Sequence, residues 1–252
     1  MAIAVAGWRV GDGRDPIVIG RRAFYTRTGT IAADLISLLH LPYTAWHLSY
    51  VGIGAALAPQ VNWTHLLGTL IAFFLGLGVG AHAFDEVRGR PLQTSLSDRA
   101  LWLLGGGGML GAGLVAVVGA VVISLEVLPW AAAGIALATG YSLEWSRLLH
   151  SRWGFAASWG AFPVLVGYWA QTQSLSIAAL LAAGAAIPLS AAQRALSTPA
   201  RYVRRETSGV SVTFQDQTAW GEAALLDTWE RPLRLLSLAI PLLAIALLAT
   251  HL

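Results

Sequence analysis

Apolar residues run through this chain in long, nearly unbroken stretches. They show neither the strict alternation of a half-buried strand nor the narrow stripe of a surface helix. Seven stretches stand out, at about 34–57, 64–84, 100–124, 127–145, 154–171, 175–193 and 233–251. Each approaches the number of residues that a helix needs to cross a hydrocarbon layer roughly 30 Å thick. Lipid offers no partner to a backbone amide, so such stretches are expected to be helical. The pattern predicts an all-α, polytopic transmembrane helical bundle of about seven helices. A cytoplasmic N-terminal segment at 1–33 precedes a single transmembrane domain at 34–252, with a long cytoplasmic loop at 194–232.

The polar positions orient this bundle. Arg9, Arg14, Arg21, Arg22 and Arg27 precede the first stretch, and the connection after it has no basic residue. Arg88, Arg90 and Arg99 follow the second stretch, Arg147 and Arg152 the fourth, and Arg194, Arg201, Arg204, Arg205, Arg231 and Arg234 the sixth. The intervening connections near Glu126 and near 171–174 carry none. Basic residues on every other connection place the N-terminus and the charged loops on the cytoplasmic side. Trp63, Trp102, Trp130, Trp153 and Trp229 fall near the ends of stretches, where an interfacial belt is expected. Gly105 to Gly108 lie inside the third stretch and predict either a close-packing surface or a kink.

Composition agrees. Of 252 residues, 56% are hydrophobic and 12% charged, too few charges to coat a water-soluble body of this size. Cysteine is absent, which excludes disulfides, thiolate metal sites and a cysteine nucleophile. The net charge of +3 follows from the topology signal and calls for no nucleic-acid partner. The expected location is a multi-pass integral position in a prokaryotic plasma membrane.

Candidate chemistry gathers on the internal connections. His82, Asp85 and Glu86 would share one face of a continuing helix by the i, i+3, i+4 rule. Asp85 and Glu86 could hold Mg²⁺, with His82 as ligand or base, while Arg88 and Arg90 suit the oxygens of a diphosphate. The other reading of this segment is a solvated helix end with local ion pairs. Glu144, near the end of the fourth stretch, is a candidate catalytic acid or a structural partner of Arg147. Arg201, Arg204 and Arg205 could neutralise a diphosphate or an anionic lipid headgroup. Asp216, Glu222, Asp227 and Glu230 read as a solvated acidic face. Asp34, His40 and His47 could line a cavity or bond between helices, with Pro42 kinking the first span between the two histidines.

These elements arrive in an order that resembles the UbiA superfamily of membrane prenyltransferases. The carriers are Leu41-Pro42-Tyr43-Thr44 followed by Gly54-Ala-Ala-Leu-Ala58, an acidic motif ending the second span, Arg90-Pro91-Leu92, Tyr141-Ser142 ending the fourth, and the glycine-rich helix from Gly154 to Gly167. The resemblance covers about 34–195. It implies a bundle around a lipid-accessible cavity open to the cytoplasm, where an isoprenyl diphosphate is held through Mg²⁺ and its prenyl chain passes to an acceptor. Carried over residue by residue, it puts His82, Asp85, Glu86 and Glu144 at the reaction and Asp85 and Glu86 on the metal. Arg88, Arg90, Tyr141, Arg147, Arg201, Arg204 and His47 would then bind the substrate. The chain departs from the family in three ways. Its first acidic motif is reduced to Asp85 and Glu86, its second (near 194–206) is mostly arginine with Glu206, and it has seven spans where the family has nine.

Three functions are compatible with the sequence. The first is a divergent UbiA-like enzyme that transfers or cyclises the prenyl group of an isoprenyl diphosphate with Mg²⁺. The second is a non-catalytic relative that binds a lipid, quinone or pigment, or serves as a subunit of a membrane complex. The third is a metal-dependent membrane hydrolase or oxidoreductase using His40, His47, His82, Asp85 and Glu86, although no His-x-x-His or His-x-x-x-His pair supplies the usual helical spacing.

Overall fold

A computed structural model of the chain describes residues 23–27 and 29–252, so Arg9, Arg14, Arg21 and Arg22 lie outside the described residues. The described fold is all-α apart from one small hairpin. Its helices, in order, are α1 (Ile31–Leu38), α2 (Leu41–Ala56), α3 (Trp63–Phe73), α4 (His82–Val87), α5 (Asp98–Val122), α6 (Val127–Ser142), α7 (Arg152–Ala156), α8 (Phe162–Thr172), α9 (Ile177–Glu206) and α10 (Glu222–Ala249). Two π-helical segments, Phe74–Ala81 and Ala157–Ala161, fuse α3 to α4 and α7 to α8. Strands β1 (Ser211–Thr213) and β2 (Ala219–Gly221) pair antiparallel between α9 and α10.

Capping residues mark where helices begin. The side chains of Thr30, Asn62, Ser97, Ser151 and Ser176 accept hydrogen bonds from first-turn amides of the helices that follow them. The first expected span is broken. His40 takes a left-handed backbone (φ 45°) between α1 and α2, and Pro42 sits in the first turn of α2, where no amide partner is lost.

Four helical stretches are long and apolar enough to cross a membrane: Trp63–Val87, Asp98–Val122, Ile177–Glu206 and Glu222–Ala249. Their outward faces bear the character of an integral membrane protein. Leu103, Leu114, Val121, Leu181, Leu238 and Ile245 are exposed, far more apolar surface than a water-soluble chain presents. Trp63, Trp102 and Trp153 are also exposed near helix ends.

The expected loop at 194–232 is largely helix. Helix α9 continues to Glu206 and α10 begins at Glu222, so only 207–221 connects them. Sequence hydropathy falls at Gln193 and Arg194 because the helix becomes amphipathic there. The same helix nevertheless packs on through Ala200 and Val203 against Leu226.

Small residues set the helix spacing. An added Cβ at Gly54 would lie 2.1 Å from the carbonyl oxygen of Val164, and one at Gly167 would lie 2.2 Å from that of Val51. The backbones of α2 and α8 therefore touch, which only glycine permits. The four-glycine run lies within α5, which is unbroken through it, and packs through its first and last members. Gly105 lies under the ring of Phe84 and Gly108 against Gly80, while Gly106 and Gly107 face open space.

Candidate functional site

The arginine-bearing connections converge at one end of the bundle around a cavity of about 310 Å³. The arginine-free connections meet at the other end. There Gln171 Oε1 accepts from the Asn62 amide (2.8 Å), and His251 Nε2 lies 2.9 Å from the Ala56 carbonyl oxygen.

Five arginines line the cavity: Arg88, Arg194, Arg201, Arg204 and Arg205. Three carboxylates face them, Asp85, Glu144 and Glu230. Two of the three are taken up by ion pairs. Glu144 lies 3.3 Å from Arg88 and 3.8 Å from His150. Glu230, almost fully buried, lies 2.6 Å from Arg204 and 3.4 Å from Arg234. Arg194, Arg201 and Arg205 remain against Asp85, so the cavity carries excess positive charge suited to an anion.

Each arginine is positioned differently. Arg194 donates to the Tyr141 hydroxyl and to the His150 carbonyl (2.9 Å), and lies over the rings of Tyr141 and Phe155. Arg205 donates to the Pro91 carbonyl at 2.8 Å, tying α9 to the turn after α4. Arg201 has no ion pair or hydrogen bond among the described residues. Tyr25, ahead of α1, completes the wall; burial pushes its phenol up to about 12, against the opposing pull of Arg201 and Arg205. At ordinary pH it therefore remains a hydrogen-bond donor.

On the remaining wall, His40 and His82 lie ring over ring at 4.2 Å between centroids. His82 Nδ1 donates to the Gly78 carbonyl (3.2 Å) and His47 Nδ1 to the Trp159 carbonyl (2.8 Å). His40 Nε2 and Gln193 Oε1 are buried without a hydrogen-bond partner among the described residues, and both residues line the cavity. Buried polar atoms of this kind call for a partner such as a water, an ion or a ligand group.

Most of the residues expected from the sequence meet here: His47, His82, Asp85, Arg88, Tyr141, Glu144, Arg201 and Arg204. Three do not. Glu86 is fully buried outside the cavity, where its carboxylate accepts from the amides of Leu92 (2.8 Å) and Thr94 (2.9 Å) and from the Thr94 hydroxyl (2.9 Å). The turn after α4 has amides that need an acceptor, and Glu86 supplies it. Arg90 takes a left-handed backbone and pairs with Asp98, and so braces that same turn. Arg147 is exposed away from the cavity, and the partners of Glu144 are Arg88 and His150 instead. Glu230, expected on a solvated face, is a buried ion-pair partner.

The residues do not fit the expected Mg²⁺ clamp. With Glu86 turned away, Asp85 is the only carboxylate of the acidic motif at the cavity. Among the described residues no three His, Asp or Glu side chains group as a metal site. Residues that sequence reasoning left out of the site are Tyr25, Tyr43, His150, Gln193 and Arg194, while Arg205, expected as an anion-binding residue, lines the cavity. For Arg194 a signal existed, since it lies on the same α9 face as Arg201.

A second cavity, about 230 Å³, adjoins the first. Its walls come from α3, α5, α6 and α8 and are almost wholly apolar, with Phe73, Trp130, Phe162 and Trp169 among them. No family model, no curated protein and no solved structure matches this chain.

Proposed function

We propose that the chain is a divergent, UbiA-like membrane protein that takes an isoprenyl diphosphate into the arginine-lined cavity and transfers or cyclises its prenyl group. In this reading it crosses a prokaryotic plasma membrane seven times, with the N-terminus and the cavity on the cytoplasmic side. The observation that carries the reading is the excess of arginine over free carboxylate at the one end of the bundle where the charged connections gather. Arginine clamps stabilise a departing diphosphate as its charge develops.

The chain's own residues would act as follows. The bond between the allylic carbon and the diphosphate oxygen breaks, and its electron pair leaves with the diphosphate toward Arg194, Arg201 and Arg205. The rings of Tyr141, Phe155 and Trp159, packed edge-on and tilted at 5.6 Å, face the allylic cation and stabilise it through their π systems. An acceptor's electron pair, or a double bond of the prenyl chain itself, forms the new bond. The proton that is then lost passes to Asp85 or to His82, both at the cavity wall.

The buried Glu86 favours a second reading, in which the cavity binds an anionic amphipathic lipid, or a membrane-complex partner's lipid, without reaction. One experiment separates the two. Detergent-purified full chain is titrated with geranylgeranyl diphosphate with and without Mg²⁺, and diphosphate release is followed on addition of candidate acceptors. The proposal expects binding of similar strength in both conditions, weakened about tenfold or more by Arg201→Ala, the equivalent of one charge-assisted hydrogen bond. Binding without any diphosphate release would favour the second reading. No binding would overturn both.

A further inference from the structure

The turn over 143–151, between α6 and α7, has two faces of opposite character. Glu144 takes a left-handed backbone (φ 57°), which reverses the chain directly after α6. The inward face carries Glu144 and His150 and belongs to the arginine-lined cavity. It is fastened there. Glu144 pairs with Arg88, the His150 ring stacks on Tyr141 at 4.8 Å, and the His150 carbonyl accepts from Arg194. The outward face carries Trp145, Arg147 and Leu148, and Arg152 and Trp153 continue it into α7. None of these five residues lines either cavity. Trp145, Leu148 and Trp153 are each more than half exposed.

Helix length sets the depth of this turn. Helix α6 has 16 residues and rises about 24 Å. A hydrocarbon core is roughly 30 Å thick, so a helix of that length cannot carry its end clear of the headgroups. The turn that follows is therefore held among them. Helix α9 has 30 residues and rises about 45 Å, so its connection to α10 stands clear of the same plane.

The charge of the outward face suits that depth. Glu144 is the only acidic residue between positions 143 and 153, and its carboxylate is engaged by Arg88 and His150. Arg147 has no ion pair or hydrogen bond among the described residues. Arg152 lies over the ring of Trp153 at 5.3 Å. A guanidinium matches the oxygens of a phosphate, and tryptophan sits well where an apolar layer meets a polar one. Scattered arginines would orient a chain and do no more. Here two of them share one fastened turn with three exposed apolar side chains.

We infer that the outward face of this turn is a docking site for an anionic phospholipid of the surrounding bilayer, with Arg147 and Arg152 on its headgroup phosphate and Trp145, Leu148 and Trp153 against the upper part of its acyl chains. The inference rests on the seven-span reading for α6, and the test separates the two.

The chain contains no cysteine, so Leu148→Cys and Ala136→Cys each give one attachment site for an environment-sensitive fluorophore, the second on an exposed position of α6. The full chain is reconstituted in phosphatidylcholine bilayers that contain a small share of nitroxide-labelled phosphatidylglycerol or nitroxide-labelled phosphatidylcholine. An arginine near the surface favours an anionic headgroup about fivefold. Labelled phosphatidylglycerol is expected to quench the fluorophore at position 148 at a mole fraction at least about fivefold lower than labelled phosphatidylcholine. The fluorophore at position 136 should be quenched equally by both. Arg147→Gln combined with Arg152→Gln should bring the two lipids within about twofold at position 148. Unchanged quenching at position 136 shows that this variant is still inserted. Equal quenching at position 148 in the unaltered protein, or a preference that survives the double substitution, overturns the lipid site. Quenching at position 136 with none at position 148 overturns it as well, because the turn would then stand in water. A phosphatidylglycerol preference at position 148 without quenching at position 136 upholds the lipid site and overturns α6 as a span. Absence of quenching at both positions overturns both.

Discussion

Asp85 and Glu86 are adjacent in sequence and serve separate compartments: Asp85 faces the arginine-lined cavity, while Glu86 is sealed beneath the amides of Leu92 and Thr94. One is available to a ligand and the other holds the backbone. Substitution should separate them cleanly. Glu86→Ala leaves three buried donors without an acceptor and is expected to cost at least about 3 kcal/mol, read as a lower thermal midpoint in detergent. Asp85→Asn is expected to leave the midpoint nearly unchanged and to alter ligand binding or turnover. Equal destabilisation by both would refute this division.

The buried ion pair of Arg204 and Glu230 makes a second prediction. Glu230, in the third turn of α10, is held by Arg204 near the end of α9 at 2.6 Å and by Arg234 at 3.4 Å. Removing one member of a buried pair strands the other, typically at a cost of about 3–5 kcal/mol. Glu230→Gln should destabilise by that order, and Arg204→Met combined with Glu230→Leu should cost less than the sum of the single changes. An additive double-mutant cycle would show that the two side chains do not interact in the folded protein.

Much of this was legible in the chain, and the failures have a common cause. Hydropathy marks where a helix is apolar all round. It therefore located the helical stretches and missed that α9 continues to Glu206, because Arg201, Arg204 and Arg205 interrupt the apolar run without ending the helix. The alternation of arginines anticipated which connections would meet, and Arg88, Glu144 and Arg201 do line one cavity. Spacing could not say which way Glu86 would turn. That depends on the unpaired amides of the Pro91–Thr94 turn, a demand made by backbone geometry that no side-chain pattern records.

Tyr25 supplies a pH prediction. Its phenol is pushed up to about 12 in the folded protein, chiefly by burial, whereas an unfolded chain ionises it near 10. Between those values the folded state retains a proton that the unfolded state has lost, so stability falls as pH rises. The contribution is fully present below pH 10 and is lost as pH approaches 12. Absorbance titration of tyrosinate should show one fewer late-ionising group in Tyr25→Phe than in the unaltered protein, together with a weaker alkaline loss of stability. An unchanged titration curve in that variant would disprove the assignment.

The reciprocal contacts of Gly54 and Gly167 give a fourth prediction. Gly54→Leu must separate α2 from α8, since even the first carbon of the side chain would overlap the Val164 carbonyl. Loss of folded protein in detergent is expected. Gly106→Leu, on the open side of α5, should express and fold normally. Tolerance of Gly54→Leu would mean that the two helices lie farther apart than described.

Phe24, ahead of the first helix, lies beneath the guanidinium of Arg234 at 4.8 Å, and Leu233 of α10 closes the same cavity. The segment ahead of α1 and helix α10 thus share one wall. During synthesis the early helices can enter the bilayer as they emerge, yet the cavity has no complete boundary until α10 arrives and docks against α2. A ribosome-bound intermediate that lacks α10 therefore holds an open, arginine-rich cleft.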